Sequence, residues 1–362
     1  MSQPTPPRKR RRRWPLGLCA AVVGSVLAIT GVEFTLRVFD PLGLRYDSDF
    51  ANYRAQALQY EWEQQPPANV DLDGRLYRHK PHLDLDLGSY RLRTNSLGLR
   101  GPEVAANKPT DTFRILLLGD SVAYGWGVDD EVTFARRLET EWNAASPARR
   151  IEVINTGHPM YDSSQEEATL REVGLGLHPD LVLLVYVVND IEPTRDIVEE
   201  LLSGKNPHPE EDVAVPDDFW SATANRLAPL LPATAKLVGL RSDLEARIQR
   251  ALPPGVSYRP ETWGKGPRGW PRSQAALLRI RDLCASAKVP LLLFDHTLPA
   301  LGSLPEFCKG NGIAYEELRL STADHAQGIV NSPLDSHPNA KGHGLLVERL
   351  RAALMRRRLL PK

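Results

Sequence analysis

The chain has 362 residues, 42% of them hydrophobic and 25% charged, and its 45 basic side chains balance 45 acidic ones. That composition belongs to a globular protein rather than a disordered or fibrous one, and the absence of a net charge argues against a general nucleic-acid binder. The three cysteines, Cys19, Cys284 and Cys308, show neither metal-ligand spacing nor an even-numbered disulfide framework. Cys284 and Cys308 are therefore expected as buried thiols in helices, with a disulfide between them in an exported domain as the alternative, and no metal or cofactor is expected.

In chain order, the first signal is a basic tail, residues 1–13, in which every position from Arg8 to Arg13 is Arg or Lys. Trp14 to Val32 then carries no charge. As a helix that run would span roughly 28 Å, close to the hydrocarbon thickness of a bilayer. Residues 14–39 are expected to be a transmembrane signal anchor. The arginine-rich tail would stay in the cytoplasm and the rest of the chain outside it. Cleavage after Ala28-Ile29-Thr30, which would release the protein, is the alternative. Leu18 before Cys19 speaks against a lipoprotein site, and Pro15 after Arg12-Arg13 against a twin-arginine signal.

Residues 40–111 are expected to form a lead-in with short strands. Gln64-Gln65-Pro66-Pro67 marks a turn, Ser89 to Asn95 alternates apolar and polar residues as a half-exposed strand does, and Asn95 to Gly101 places two glycines about a turn. No chemistry is legible in this stretch, which is expected to pack on the main domain.

From residue 112 the pattern becomes strand, helix, strand, helix, strand. Arg114-Ile115-Leu116-Leu117-Leu118-Gly119-Asp120-Ser121 reads as a buried strand ending in a turn that carries a serine. The acidic Asp129-Asp130-Glu131 opens a helix to about Asn143. Ile151 to Asn155 is a second strand, and Ser163 with Glu166 fits a capping box for a helix to about Leu177. Leu181 to Val188 is a third strand, ending at Asn189-Asp190. Such alternation implies parallel βαβ units, whose strand carboxyl ends lie on one edge. That edge collects the Ser121 hydroxyl, the Gly157 N–H and the Asn189 amide, which is the composition of an acyl-transfer site with oxyanion donors. Each feature alone also has an ordinary reading as a cap or a turn.

Residues 191–272 are too many for an ordinary connection and read as a helical insertion, with helices over 192–202, 219–231 and 237–252 and a loop over 264–271. This insertion is expected either to cover the site or to be a structural cap. Ser273 to Lys288 reads as a helix, Val289 to Phe294 as a fourth strand, Ile313 to Leu318 as a fifth, and Ala340 to Arg357 as the last helix. Between them, Asp335-Ser336-His337 supplies what a serine nucleophile needs: an imidazole to accept its proton and a carboxylate to orient that imidazole. His158, His325 and His343 are further histidines, and His296, which follows Asp295 at a strand end, competes for the role of base.

The chain resembles the SGNH, or GDSL-like, hydrolases over about residues 112–357. Four blocks match in order: Gly119-Asp120-Ser121, Gly157, Asn189-Asp190, and Asp335-Ser336-His337 with the following Pro-Asn-Ala-x-Gly-His run. Asn95-Ser96-Leu97-Gly98-Leu99-Arg100-Gly101 also looks like membrane-anchored bacterial members. The resemblance implies a flavodoxin-like three-layer α/β/α sandwich with a parallel sheet of about five strands, within a hydrolase domain spanning residues 112–362. It implies metal-free ester hydrolysis through an acyl-enzyme. Ser121 would be the nucleophile, His337 the base and Asp335 its orienter, while Ser121, Gly157 and Asn189 would form the oxyanion hole. Val122 stands where the family name has Leu, and Val187 where the third block has Gly. The expected partners are an acyl-ester substrate, on an envelope polysaccharide or lipid, and the membrane. An O-acyltransferase with the same triad and a non-catalytic binding or assembly protein are the alternatives.

Overall fold

The computed structural model describes residues 14–40, 44–145, 149–191, 269–298, 300–332 and 335–361, with a few positions between 198 and 237. The helices expected over 192–202, 219–231 and 237–252, and most of the loop over 264–271, lie outside the described residues. The chain divides into two compact units, Met1–Leu44 with Val213–Ala251, and Arg45–Asp212 with Leu252–Lys362.

In the first unit, α1 runs from Trp14 to Phe39. Its stretch Gly17–Phe39, with a mean hydropathy of 1.9, has the length and composition of a membrane anchor or a signal sequence. Near its end Glu33 pairs with Arg37 one turn on, at 2.6 Å. The same carboxylate accepts the N–H of Ala233 at 3.2 Å and both the N–H and the hydroxyl of Thr234 at 2.8 Å.

The second unit begins with the lead-in: α2 (Leu44–Gln56), β1 (Leu58–Tyr60), α3 (Glu61–Gln64), β2 (Tyr77–His79), β3 (Asp84–Asp86) and β4 (Arg91–Arg93). β1 pairs with β2 and β3 with β4, both antiparallel. Helix α2 lies in a stretch read from the sequence as polar connection. Tyr46, Phe50 and Tyr53 fall at i, i+4 and i+7 along it, which makes one aromatic stripe.

The main sheet is five-stranded, in the order β6-β5-β7-β8-β9. Its strands are β5 (Thr112–Gly119), β6 (Arg150–Asn155), β7 (Leu181–Tyr186), β8 (Leu291–Asp295) and β9 (Ala314–Glu317). Every pairing within it is parallel. The helices of this unit are α4 (Ser121–Tyr124), α5 (Phe134–Ala145), α6 (Ser163–Thr169), α7 (Trp270–Ala287), α8 (Ser303–Gly310), α9 (Thr322–His325) and α10 (Ala340–Arg356). A hairpin of β10 (Val330–Ser332) and β11 (Asp335–Pro338) precedes α10.

Side chains alternate across a strand, and β5 shows the consequence. Ile115 and Leu117 join Phe134 and Leu138 of α5 and Leu346 and Leu350 of α10 in one core. Leu116 and Leu118 join Leu277 of α7 and Leu304 and Cys308 of α8 in another. Helices thus cover both faces, the three-layer α/β/α arrangement expected of an all-parallel sheet. Cys284 and Cys308 are buried free thiols in α7 and α8, as the cysteine spacing implied.

Three local details differ from expectation. Asp129-Asp130-Glu131 leads into a separate 3₁₀ turn, Asp130–Val132, and α5 starts only at Phe134. The cap of α6 is Asp162, whose carboxylate accepts the N–H groups of Ser164 and Gln165, so the helix begins one residue early and Glu166 is buried rather than reaching back to a Ser163 cap. Helix α7 begins at Trp270, ahead of the expected Ser273, with Pro271 in its first turn where a missing N–H costs nothing.

Candidate active site

Strand β5 delivers the serine. Gly119 has φ +147°, and a Cβ there would lie 2.6 Å from the Ala123 Cβ, so the chain turns where only glycine fits. Asp120 caps α4 by accepting the Val122 N–H at 2.9 Å, and Ser121 becomes the first residue of that short helix. Its backbone N–H therefore has no partner within the helix.

The hairpin after α9 delivers the other two groups. His337 Nε2 lies 2.8 Å from Ser121 Oγ, and His337 Nδ1 lies 2.6 Å from Asp335 Oδ1. The same Asp335 oxygen accepts the His337 N–H at 3.1 Å, and Oδ2 accepts from Asn331 Nδ2 at 3.0 Å. With the ring proton on Nδ1 facing the carboxylate, Nε2 is left as an acceptor for the serine hydroxyl. Ser121 Oγ also lies 3.0 Å from Asp120 Oδ2, a second acceptor for its proton. Residues 216 positions apart thus meet in a connected Asp–His–Ser chain.

The expected oxyanion donors are placed less simply. Gly157 sits beside α4, where a Cβ would come within 2.4 Å of the Tyr124 nitrogen. Its N–H donates to Asn155 Oδ1 at 2.9 Å, so it is engaged inside its own loop. Asn155 in turn donates to the Ala123 carbonyl at 2.8 Å and so ties this loop to α4. Asn189 lies in a 3₁₀ turn, Val188–Ile191, just past β7. It is half-buried, and its Oδ1 is enclosed without a hydrogen-bond partner.

A buried polar chain backs that turn. Asp190 accepts the Val187 N–H at 2.7 Å and the Ser163 hydroxyl at 3.0 Å. Ser163 meets Ser273 at 2.9 Å, and Ser273 meets the Tyr186 hydroxyl at 2.6 Å. Glu166 lies next to Asp190. Burial first, and then the Asp190 charge, push the Glu166 pKa well up, and burial does the same to Asp190 with Asp120 adding to it. At both positions burial therefore favours the neutral acid over the carboxylate.

The competing histidines are occupied elsewhere. His296 turns Nδ1 toward the Leu318 carbonyl at 3.4 Å. His343 accepts the Phe134 N–H at 3.2 Å, and burial holds its pKa at about 3. His158 stacks between His79 and Tyr161, with centroids 4.0 Å and 4.5 Å away.

Several residues at the site carried no sequence signal of function. Tyr46 of α2 stacks on the His337 ring, with centroids 5.9 Å apart and planes 23° apart. Trp126 lies 6.1 Å from the same ring. Asp49, one turn along α2, accepts the Ser89 N–H at 3.3 Å; burial raises its pKa, with the Asp335 charge contributing. Arg100 is buried and donates to the carbonyls of Tyr124, Gly125 and Val128, while its guanidinium lies 4.5 Å from the Tyr124 ring centroid. The i, i+4, i+7 spacing of Tyr46, Phe50 and Tyr53 could have revealed α2. Nothing in it would have revealed His337 as a neighbour.

The model of the GDSL-like Lipase/Acylhydrolase family matches residues 117–345, a span running from β5 into α10 and enclosing the Asp–His–Ser chain. No curated protein is close enough in sequence to count as a relative. Among solved structures, the chain is similar to the psychrotrophic esterase EstA from Pseudoalteromonas sp., at 14% identity over 67% of this chain and 97% of that one, with a TM-score of 0.39. It is also similar to a GDSL-like lipase from Bacteroides thetaiotaomicron, at 11% identity over 70% and 93% of the two chains, with a TM-score of 0.35. A member of the lipolytic G-D-S-L family from Veillonella parvula gives 13% identity over 67% and 99%, with a TM-score of 0.38. These superpositions are loose, so the assignment rests on the family match: the chain belongs to the GDSL-like lipase/acylhydrolase family and is a hydrolase acting on ester bonds.

Proposed function

We propose that the protein is a serine esterase that cleaves carboxylic O-acyl esters through an acyl-enzyme on Ser121. The observation that carries this reading is the unbroken contact from Asp335 through His337 to Ser121, at 2.6 Å and 2.8 Å. Ser121 Oγ attacks the acyl carbonyl carbon while its proton passes to His337 Nε2. Asp335 keeps the imidazole in the accepting tautomer and favours the imidazolium that forms. Collapse of the tetrahedral intermediate breaks the bond to the leaving alkoxide, which takes that proton and departs as an alcohol. Water then attacks the acyl-enzyme and gives a proton to His337. The second collapse releases the acid and returns the proton to Ser121. In this reading the Ser121 N–H and the Asn189 amide donate to the developing oxyanion; one such donor is worth about 3–4 kcal/mol in the transition state.

The same proposal places the enzyme at a membrane. The apolar stretch Gly17–Phe39, preceded by the basic residues 8–13, suits a signal anchor with a cytoplasmic N-terminus. The catalytic unit then lies on the extracytoplasmic side, where envelope polysaccharides and lipids carry O-acyl groups.

The test is fluorophosphonate labelling of the full chain in detergent, with the modified residue mapped by mass spectrometry, alongside hydrolysis of short-chain nitrophenyl esters. Label on Ser121, and loss of about 10⁴-fold or more in kcat/KM for Ser121→Ala, are the expected results. A Ser121→Ala variant that keeps the parent rate would sink the assignment.

A further inference from the structure

The side chains around His337 do more than fill space. Its imidazole is flanked by two aromatic rings that also touch each other: Tyr46 stacks on it at 5.9 Å and 23°, and Trp126 lies at 6.1 Å and 45°. Tyr46 comes from α2, more than sixty positions before the family match begins. Trp126 closes the turn after α4 and is held by the same helix, with centroids 5.7 Å from Tyr46, 5.7 Å from Phe50 and 5.4 Å from Tyr53.

A cation within about 6 Å of an aromatic ring is attracted by the ring quadrupole, by about 0.5–2 kcal/mol according to how dry the site is. A neutral imidazole gains much less. In the serine-esterase reading His337 is neutral in the resting enzyme and cationic only while it holds the serine or water proton. The rings therefore favour the state that leads to product over the ground state, which is the kind of interaction that raises kcat rather than lowering KM. The same stacking disfavours rotation of the ring away from Asp335 and Ser121. The titratable groups about the imidazole are Asp335 on its own strand, Asp49 on α2, Asp120 through Ser121, and the buried His343 of α10.

We propose that Tyr46, with Trp126, is a positioning residue for the general base: the lead-in helix α2 holds the His337 ring and stabilises its imidazolium, so the active site is completed by a residue outside the span that the family model matches. The proposal rests on the serine-esterase reading. It is separable from that reading because it concerns the rate of a working site and not the site's existence.

The experiment compares Tyr46→Leu, Tyr46→Phe and Phe50→Leu in the full chain, with kcat normalised to sites titrated by fluorophosphonate. Phe50 packs on Trp126 and stacks with Tyr46 at 5.9 Å, and no ring contact joins it to His337. Its loss therefore reports packing alone. For Tyr46→Leu we expect kcat per titrated site to fall about tenfold with KM within about twofold. Tyr46→Phe, which keeps the ring, recovers most of that loss. Phe50→Leu lowers Tm by a similar amount to Tyr46→Leu and keeps its kcat per titrated site. Equal falls in kcat for Tyr46→Leu and Phe50→Leu, or none for Tyr46→Leu, would overturn the proposal. A parent enzyme that takes no label and cleaves no ester would instead overturn the esterase reading, and this assignment with it.

Discussion

Two regions meet at the Ser121–His337 contact, and they are built on different logic. The parallel sheet brings Ser121, Gly157 and Asn189 to one edge because its strands run the same way and end together. The lead-in has no such rule. It reaches the site through single side chains: Tyr46 over the imidazole, Asp49 near Asp335, and Arg100 against the turn after Ser121. In the sheet, placement follows from topology; in the lead-in it follows from packing. A change in the first should remove chemistry, and a change in the second should weaken it or the fold around it.

The largest expected effect tests the sheet side. His337→Ala should cost about 10⁴-fold in kcat/KM, because a serine without its base is a poor nucleophile. His296→Ala should cost less than about tenfold per titrated site, since that ring turns toward the Leu318 carbonyl. Steady-state kinetics on nitrophenyl esters decide the matter, and the reverse order would move the base to the end of β8.

How far the sequence announced this division can be traced residue by residue. The run Ile115–Leu118 predicts a doubly covered strand, and the two cores on either side of β5 are its realisation. Asp335 and His337 were singled out because a serine nucleophile would demand a base and an orienter, and the structure brings both side chains into one chain of contacts with Ser121. The cap of α6 was misplaced by one residue because Asp162 and Ser163 are both good caps, and only the backbone decides between them. The commitment of the Gly157 N–H to Asn155 is a loop conformation with no sequence period. Helix α2 was missed because its charged residues masked an aromatic stripe. Arg100 was visible as a letter, but its three carbonyl partners lie 24 to 28 positions away.

Arg100 gives the next prediction in size and probes the junction itself. Its guanidinium is buried and serves three backbone carbonyls in the turn after Ser121. Arg100→Met keeps much of the stem and removes the guanidinium from all three carbonyls, leaving Tyr124 and Gly125 only the long contacts of the Asn155 amide and the Val128 N–H, each at 3.4 Å. Unmade buried hydrogen bonds of this kind cost about 2–4 kcal/mol in total, read by denaturant titration. Arg100→Lys should recover only part, because an ammonium cannot reproduce the planar fork. If Arg100→Met unfolds at the parent midpoint, the lead-in does not brace the nucleophile turn, and the contrast between the two regions loses its structural half.

The smallest effect concerns the seam where a lead-in ring meets a sheet loop. His158 follows β6, His79 ends β2, and their rings stack at 4.0 Å and 14°. The His158 Nδ1 faces the Thr156 carbonyl at 2.9 Å, and Nε2 accepts the His79 N–H at 3.4 Å. Burial pulls the His158 pKa from the usual 6.5 to about 3, and that of His79 well below its usual value. The sign follows from proton counting. Between those two values the unfolded chain binds a proton at His158 and the folded chain does not, so stability falls as pH falls through 6.5 toward 3. At pH 5 the His158 share is about 2 kcal/mol. His158→Phe keeps a ring for the stack and removes the titration. It should lower stability at pH 7 through its lost hydrogen bonds, yet shrink the loss between pH 7 and pH 5 by about 2 kcal/mol. Denaturant titrations of parent and variant at the two pH values read the difference directly. An unchanged pH dependence would mean that His158 takes up its proton inside the folded protein, and that the seam between lead-in and sheet is open to water.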